Sequence, residues 1–281
     1  MSGGAWRSYA ALGDSLTFGI GDPAPGGWRG WAGLLADSMD GMQLHNLARC
    51  GARAQDIASE QLDHALTVKP QLASVIVGMN DTLRGNFDLD QVARSMRYAV
   101  GALRRDGAIV LTARLPEPGR LLKIPGVVAR PLARRASAIN AVVDDIAATH
   151  GTVHLDLARH PDAYASGNWG IDRLHPSERG HRLIARLYAE QLAVLGVPVT
   201  RLPSRATASP APSRWMQAGW LATEGTAWLA RRSRDLVPTL TRLAIREWWY
   251  QRRDRIDELD EQVVAELEAI LGGDGSAVRV P

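Results

Sequence analysis

A chain of 281 residues, 46% hydrophobic and 22% charged, has ordinary globular composition and room for one substantial domain with an appendage, which excludes a wholly disordered or fibrous protein. Its 33 basic side chains nearly cancel 30 acidic ones, leaving +3, so it is no polycation and nucleic-acid binding is not expected. Cys50 is the single cysteine, which excludes an internal disulfide and fits a reducing compartment.

The start, MSGGAWRSYAAL, lacks a charged head followed by a long apolar run, and no stretch of about 18 apolar residues follows anywhere. A soluble, cytoplasmic protein without a secretory signal or membrane span is the expectation. Residues 9–12 are short and apolar and run into Gly13, Asp14 and Ser15, the pattern of a buried strand entering a turn. A glycine-rich loop over 19–30 carries two prolines and Trp28, and 31–39 is expected to be helical. Residues 44–48 suit a second strand, and 56–66 a helix, with Ile57, Leu62 and Leu66 at helical spacing. The β-branched run at 72–77 ends at Gly78 and predicts a strand; 89–103 predicts a helix and 108–112 another strand. A loop with Pro116, Pro118 and Pro125 follows, then a helix over 131–148 opened by Pro131, a last strand at 153–157 and a helix over 176–195.

Strands and helices alternating at this spacing imply a parallel sheet with helices on both faces. In such sheets the site lies beyond the carboxyl ends of the strands. Ser15 follows the first strand, Arg49 to Gly51 the second and Asn80 the third. After Val197 the character changes: 198–214 reads PVTRLPSRATASPAPSR, a linker or surface strap. The expected division is an α/β domain over 1–197, a linker over 198–214 and a helical extension over 215–281, interrupted near Pro238.

Four short segments carry chemistry. In Gly13 to Gly19, GDSLTFG, a serine leaving a strand is exposed at the sheet edge with its own N–H facing the same space; a helix cap is an equally good reading. Asp172 stands three residues before His175, which Pro176 follows. A serine hydroxyl needs an adjacent base, histidine titrates near the working pH, and a carboxylate holds the imidazole in one tautomer. Alone, the segment reads better as a histidine at a helix start with an unrelated surface aspartate. Gly78-Met79-Asn80-Asp81 offers a carboxamide donor after a strand, though Asn-Asp also favours a plain turn. In Asn46 to Gly51, NLARCG, the glycine can present its N–H unobstructed, and a turn is again the simpler reading. Cys50 beside it is expected to be a small buried residue.

In this order and context the four segments resemble the SGNH family, also called GDSL-type esterases and lipases, over residues 9–195. The resemblance implies a three-layer α/β/α sandwich with a parallel sheet, flavodoxin-like in kind. It implies Ser15 as nucleophile, His175 as base and Asp172 as its partner, with the Ser15 amide, Gly51 and Asn80 forming an oxyanion hole. The expected activity is hydrolysis of carboxylic esters, acyl or acetyl esters of small alcohols, lipids or sugars, through an acyl-enzyme on Ser15. The serine lies near the chain start in GDSL, unlike the G-x-S-x-G elbow. The competing class is a non-catalytic binding or scaffolding protein on the same fold, whose C-terminal helices recruit a partner or a membrane; an intact Ser15, Asp172 and His175 set argues against it.

The loops at 19–30, 83–87, 115–127 and 164–169 are expected to border the pocket, with Trp28, Leu83 and Trp169 as candidate substrate contacts. Trp28 and Trp31 packing their loop onto the core is at least as good a reading. His181 is expected on the helix after His175, as packing or surface. No H-E-x-x-H arrangement, cysteine cluster, Walker loop or dinucleotide fingerprint occurs, so no metal or cofactor is implied and the partner is a small-molecule ester. Ile245, Trp249, Ile256, Leu259, Val263, Leu267 and Ile270 describe one apolar helical stripe, and eight arginines lie between 231 and 255 against Asp235, Glu247 and Asp254. The stripe is expected to dock on its own domain or to drive self-association, with an anionic membrane surface as runner-up.

Overall fold

The computed structural model describes residues 6–207 and 226–272. Its described strands are β1 (Ser8–Gly13), β2 (Pro23–Ala24), β3 (Gly27–Trp28), β4 (Gln43–Asn46), β5 (Leu72–Ile76), β6 (Ile109–Arg114) and β7 (Val153–Asp156). β2 and β3 form a minute antiparallel ribbon, and the other five make one parallel sheet in the order β4-β1-β5-β6-β7. This is the flavodoxin-like winding, and its direction reverses between β1 and β5. Loops leaving that point open a crevice at the carboxyl ends of the strands.

The described helices before the C-terminal extension are α1 (Ser15–Phe18), α2 (Gly30–Ala36), α3 (Ala54–Asp56), α4 (Leu62–Thr67), α5 (Met79–Thr82), α6 (Leu89–Arg105), α7 (Pro118–Leu122), α8 (Gly126–His150) and α9 (Glu178–Val194). β1 explains the layering. Tyr9 and Ala11 face Trp31, Leu35, Tyr188 and Leu192 of α2 and α9, whereas Ala10 and Leu12 face Ile57, Leu62, Met96 and Val142 on the other side. Both faces are covered, so the strand is apolar throughout rather than alternating. Each large aliphatic or aromatic side chain buried this way contributes about 1.5–3 kcal/mol.

Three elements depart from expectation. The helix expected to open at Pro131 begins at Gly126, with Pro125 at its N-cap. Pro131 lies inside it, where the missing N–H leaves only the Val127 carbonyl without its helical partner. The helix expected over 56–66 is α3 and α4 joined by a π-helical turn, Ile57–Gln61. That turn aims the buried Gln61 carboxamide at the end of β1: Gly13 N donates to Gln61 Oε1 at 2.8 Å, and Gln61 Nε2 donates to the Gly13 carbonyl at 3.0 Å. Asn140 of α8 brackets Leu115, just past β6, in the same way at 2.7 and 2.9 Å.

The third departure is C-terminal. One helix runs Thr226–Arg252 straight through Pro238, and a second runs Ile256–Gly272. The break comes at Asp254, whose φ is +53°. It redirects the chain and divides the expected single stripe. Leu259 is buried, and Val263, Leu267 and Ile270 pack on the core beneath α6 and α8, but Ile245 and Trp249 are exposed. The first helix is fastened by Glu247, only 1% exposed, which accepts from Arg134 at 2.5 and 3.1 Å. Arg97 donates to the Ile270 carbonyl at 3.4 Å. One face of the extension therefore docks on its own domain. Before it, Thr200 and Arg201 donate backbone N–H bonds to the Ser38 carbonyl at 2.9 and 3.3 Å, strapping the chain across the end of α2. The end of the expected linker, 208–214, and the start of the extension, 215–225, lie outside the described residues. Among the described residues no helix is long and apolar enough to cross a membrane.

Candidate active site

β1 ends at Gly13 in a space that admits no side chain: a Cβ there would lie 2.5 Å from Thr17 Oγ1 and 2.6 Å from the Ile76 carbonyl. Asp14 then caps α1, its Oδ1 accepting from Leu16 N at 3.0 Å. The cap and the exposed serine are thus divided between neighbours. Asp14 closes the helix, and Ser15, its first residue, points its hydroxyl into the crevice. Ser15 Oγ lies 3.0 Å from His175 Nε2.

His175 arrives from the far side of the sheet, on the loop after β7. A tight turn positions it: Gly170 N donates to the His175 carbonyl at 2.8 Å, Arg173 N to the Gly170 carbonyl at 3.1 Å, and Ser177 N to the Asn168 carbonyl at 3.0 Å. Arg173 adopts a left-handed conformation, φ +55°, to make this turn. Asp172 Oδ2 accepts from His175 Nδ1 at 2.6 Å, while its Oδ1 accepts the backbone N–H groups of Leu174 and His175 at 3.0 and 3.1 Å. Because the carboxylate only accepts, Nδ1 carries the proton and the Nε2 lone pair faces Ser15. Burial pushes the Asp172 carboxyl up, but the hydrogen bonds from His175 and the two backbone amides outweigh it and hold the group below the ordinary carboxylate range.

On the opposite wall, Asn80 opens from Gly78, whose φ of +123° turns the chain sharply after β5. Asn80 Nδ2 donates to the Ala52 carbonyl at 3.0 Å and reaches Asp14 Oδ2 at 3.3 Å. Gly51, φ +83°, sits in the turn after β4 and borders the same cavity. The cavity, about 390 Å³, has Ser15, His175, Gly51 and Asn80 among its lining, with walls from Ile20, Ile76, Met79, Leu83, Leu115 and Trp169. Two of the candidate substrate contacts, Leu83 and Trp169, are among this lining. The third is not: Trp28 is 43% exposed and lies outside the cavity lining. Its ribbon is pinched at the base by a bidentate Arg29–Asp22 pair at 3.0 and 3.1 Å and by Gly19 and Gly30 in contact, which turns the tip toward solvent. Trp31 does pack the core, its ring 5.3 Å from that of Tyr188. Cys50, expected to be buried, is exposed and borders the cavity, because the turn that presents Gly51 carries its neighbour outward.

Two supporting groups escape a reading of the sequence. His181, fully buried, accepts from Trp31 N on Nδ1 at 3.1 Å and donates from Nε2 to the Ile20 carbonyl at 2.9 Å, tying the loop after Ser15 to α9. Burial pushes its pKa down to about 4, so it is neutral there. Gly21 in the same loop meets the His175 turn so closely that a Cβ would sit 1.9 Å from the Pro176 carbonyl oxygen.

Asp81, beside Asn80, accepts from Ala54 N at 3.2 Å, and burial pushes its carboxyl up to about 7. A folded pKa above the unfolded value near 3.9 stabilises the fold at low pH, and that contribution disappears as pH rises from about 4 through 7. Asp81→Asn keeps the acceptor and removes the titration. The melting temperature of wild type is expected to fall relative to Asp81→Asn between pH 5.5 and pH 8 in thermal scans; a constant gap would mean a carboxylate ionised throughout.

The sequence pattern of the GDSL-like Lipase/Acylhydrolase family matches residues 11–183. No curated protein matches the chain by sequence. Among solved structures, the acetylxylan esterase Axe2 of Geobacillus stearothermophilus is similar at 19% identity and TM-score 0.55, covering 68% of this chain and 96% of that one. LAE5, an alpha/beta hydrolase enzyme from the metagenome of Lake Arreo, Spain, is similar at 18% identity and TM-score 0.55, covering 69% and 96%. At these identities the likeness establishes the fold.

Proposed function

Since the chain belongs to the GDSL-like lipase/acylhydrolase family and is a serine ester hydrolase, we propose that it cleaves carboxylic esters through an acyl-enzyme on Ser15. The observation that carries this reading is the relay Asp172–His175–Ser15, at 2.6 and 3.0 Å, opening into a cavity with aliphatic walls. Ser15 Oγ attacks the ester carbonyl as His175 Nε2 takes its proton. Asp172 keeps the imidazole in the correct tautomer and stabilises the imidazolium. The tetrahedral oxyanion accepts hydrogen bonds from the amides of Ser15 and Gly51 and from Asn80. Ser15 N suits this task because the first N–H groups of a helix have no intrahelical acceptor. Asn80 keeps one hydrogen on Ala52, and the other leaves its long 3.3 Å contact with Asp14 for the oxyanion. His175 then protonates the leaving alcohol, and water, activated by the same base, releases the acid.

Every residue given a role lies before Val197; the helices beyond serve as an accessory that covers the α6–α8 face. The walls favour an acyl chain in the cavity over a sugar, because Ile76, Met79, Leu83 and Leu115 offer no hydrogen bonds from their side chains. With a homologous series of soluble acyl esters, kcat/KM is expected to rise by up to about fourfold per methylene from acetyl upward, the equivalent of about 0.8 kcal/mol, until the cavity is filled. An acetylated sugar preferred over every longer acyl ester would reverse the substrate assignment. Labelling by a serine-directed fluorophosphonate tests the covalent step, and absence of label on folded protein would return the chain to a binding role.

A further inference from the structure

We propose that the outward face of the helix Thr226–Arg252 is a docking surface for an anionic lipid bilayer. Val237, Ile245, Trp248 and Trp249 are large apolar side chains, each about half exposed on that helix. Positions 245, 248, 249 and 252 are three or four apart, so they share one face. Arginines accompany the aromatics: the Arg252 guanidinium lies 5.0 Å above the Trp248 ring and that of Arg253 4.0 Å above Trp249, with Arg242 and Arg246 exposed nearby.

The charge distribution selects the occupant. Between Val237 and Arg253 the single acidic residue is Glu247, and it is turned inward, buried and neutralised by Arg134 and Arg130. The outward side of this stretch carries cations alone. Apolar rings at the level of guanidinium groups match a headgroup region, where the rings enter the acyl boundary and the arginines meet phosphates. The same face on a second copy would bring like charges together. The helix is anchored beside the catalytic cavity: Thr239 abuts Gly85, two residues past Leu83 of the cavity wall. Docking therefore holds the cavity close to the bilayer, although the docking itself does not depend on the esterase reading.

The test is co-sedimentation of the full-length protein with vesicles of phosphatidylcholine alone or with about one-third phosphatidylglycerol. Binding is expected to the anionic vesicles only and to weaken as salt is raised. Each arginine near the surface adds about fivefold to partitioning. Arg252→Glu with Arg253→Glu should therefore lower binding by well over tenfold, and Trp248→Ser with Trp249→Ser by at least tenfold. Hydrolysis of a soluble ester should stay at the wild-type rate in both double variants, which certifies that they fold. Equal binding to both vesicle types, no binding, or binding indifferent to these substitutions overturns the proposal. A dimer in sedimentation velocity that the tryptophan pair dissolves also overturns it, by giving the face to the exposed acids of a second copy's Ile256–Gly272 helix.

Discussion

Ser15→Ala is expected to lower ester turnover by about 10⁴–10⁶ without disturbing the fold, and His175→Ala to match it. The two residues act as one device. The hydroxyl and the imidazole nitrogen are 3.0 Å apart, and neither works on an ester carbonyl without the other. The double variant should then be hardly slower than either single one, because the second substitution removes a group already idle. Neither side chain supports the core: both border the cavity, and β1 and the turn at 168–177 are held by backbone bonds and by Gln61. Steady-state turnover on a soluble ester, with circular dichroism and thermal melting as controls, checks the result. A folded Ser15→Ala protein with wild-type turnover would remove the serine from the mechanism.

Asn80→Ala is expected to cost about 10²–10³ in kcat with little change in KM, because its amide meets the substrate oxygen only as negative charge develops there. Asn80 also braces Ala52 and Asp14, so its loss should lower the melting temperature somewhat. The two roles separate in the kinetics. A purely structural asparagine would lower stability and leave kcat of the surviving folded enzyme intact, whereas an oxyanion donor changes kcat per folded molecule. A raised KM at constant kcat would assign Asn80 to ground-state binding instead.

Much of this was legible from residues 9–195 because it rests on local chemistry. The apolar run before Asp14 and Ser15 is short enough for a strand, and its carboxyl end is where such sheets place their sites. The Asp172–His175 spacing works because one turn spans three residues. What escaped depends on geometry between distant segments. Cys50 and Trp28 look like core residues by type, yet their exposure follows from turns whose shape Gly51 and the Arg29–Asp22 pair impose. His181 is an ordinary helix residue until Ile20 and Trp31 are seen against it. Pro238 predicts a break that does not occur, and Asp254 makes one where no glycine or proline announces it. The helical period was visible over Leu259, Val263, Leu267 and Ile270, but a period names a face without saying what covers it.

The bracket of Gln61 on Gly13 puts the serine's placement partly under the control of helix pitch. The π-helical turn Ile57–Gln61 fits an extra residue into its loop of backbone bonds, and that surplus sets the direction in which the carboxamide leaves the helix. Removing one residue there would restore an ordinary α pitch and rotate position 61 by about 100° about the axis, withdrawing both hydrogen bonds from the strand end. The side chains that line the cavity around Ser15 would be unchanged. The count of residues in a helix 48 positions along the chain is thus part of what aims the hydroxyl.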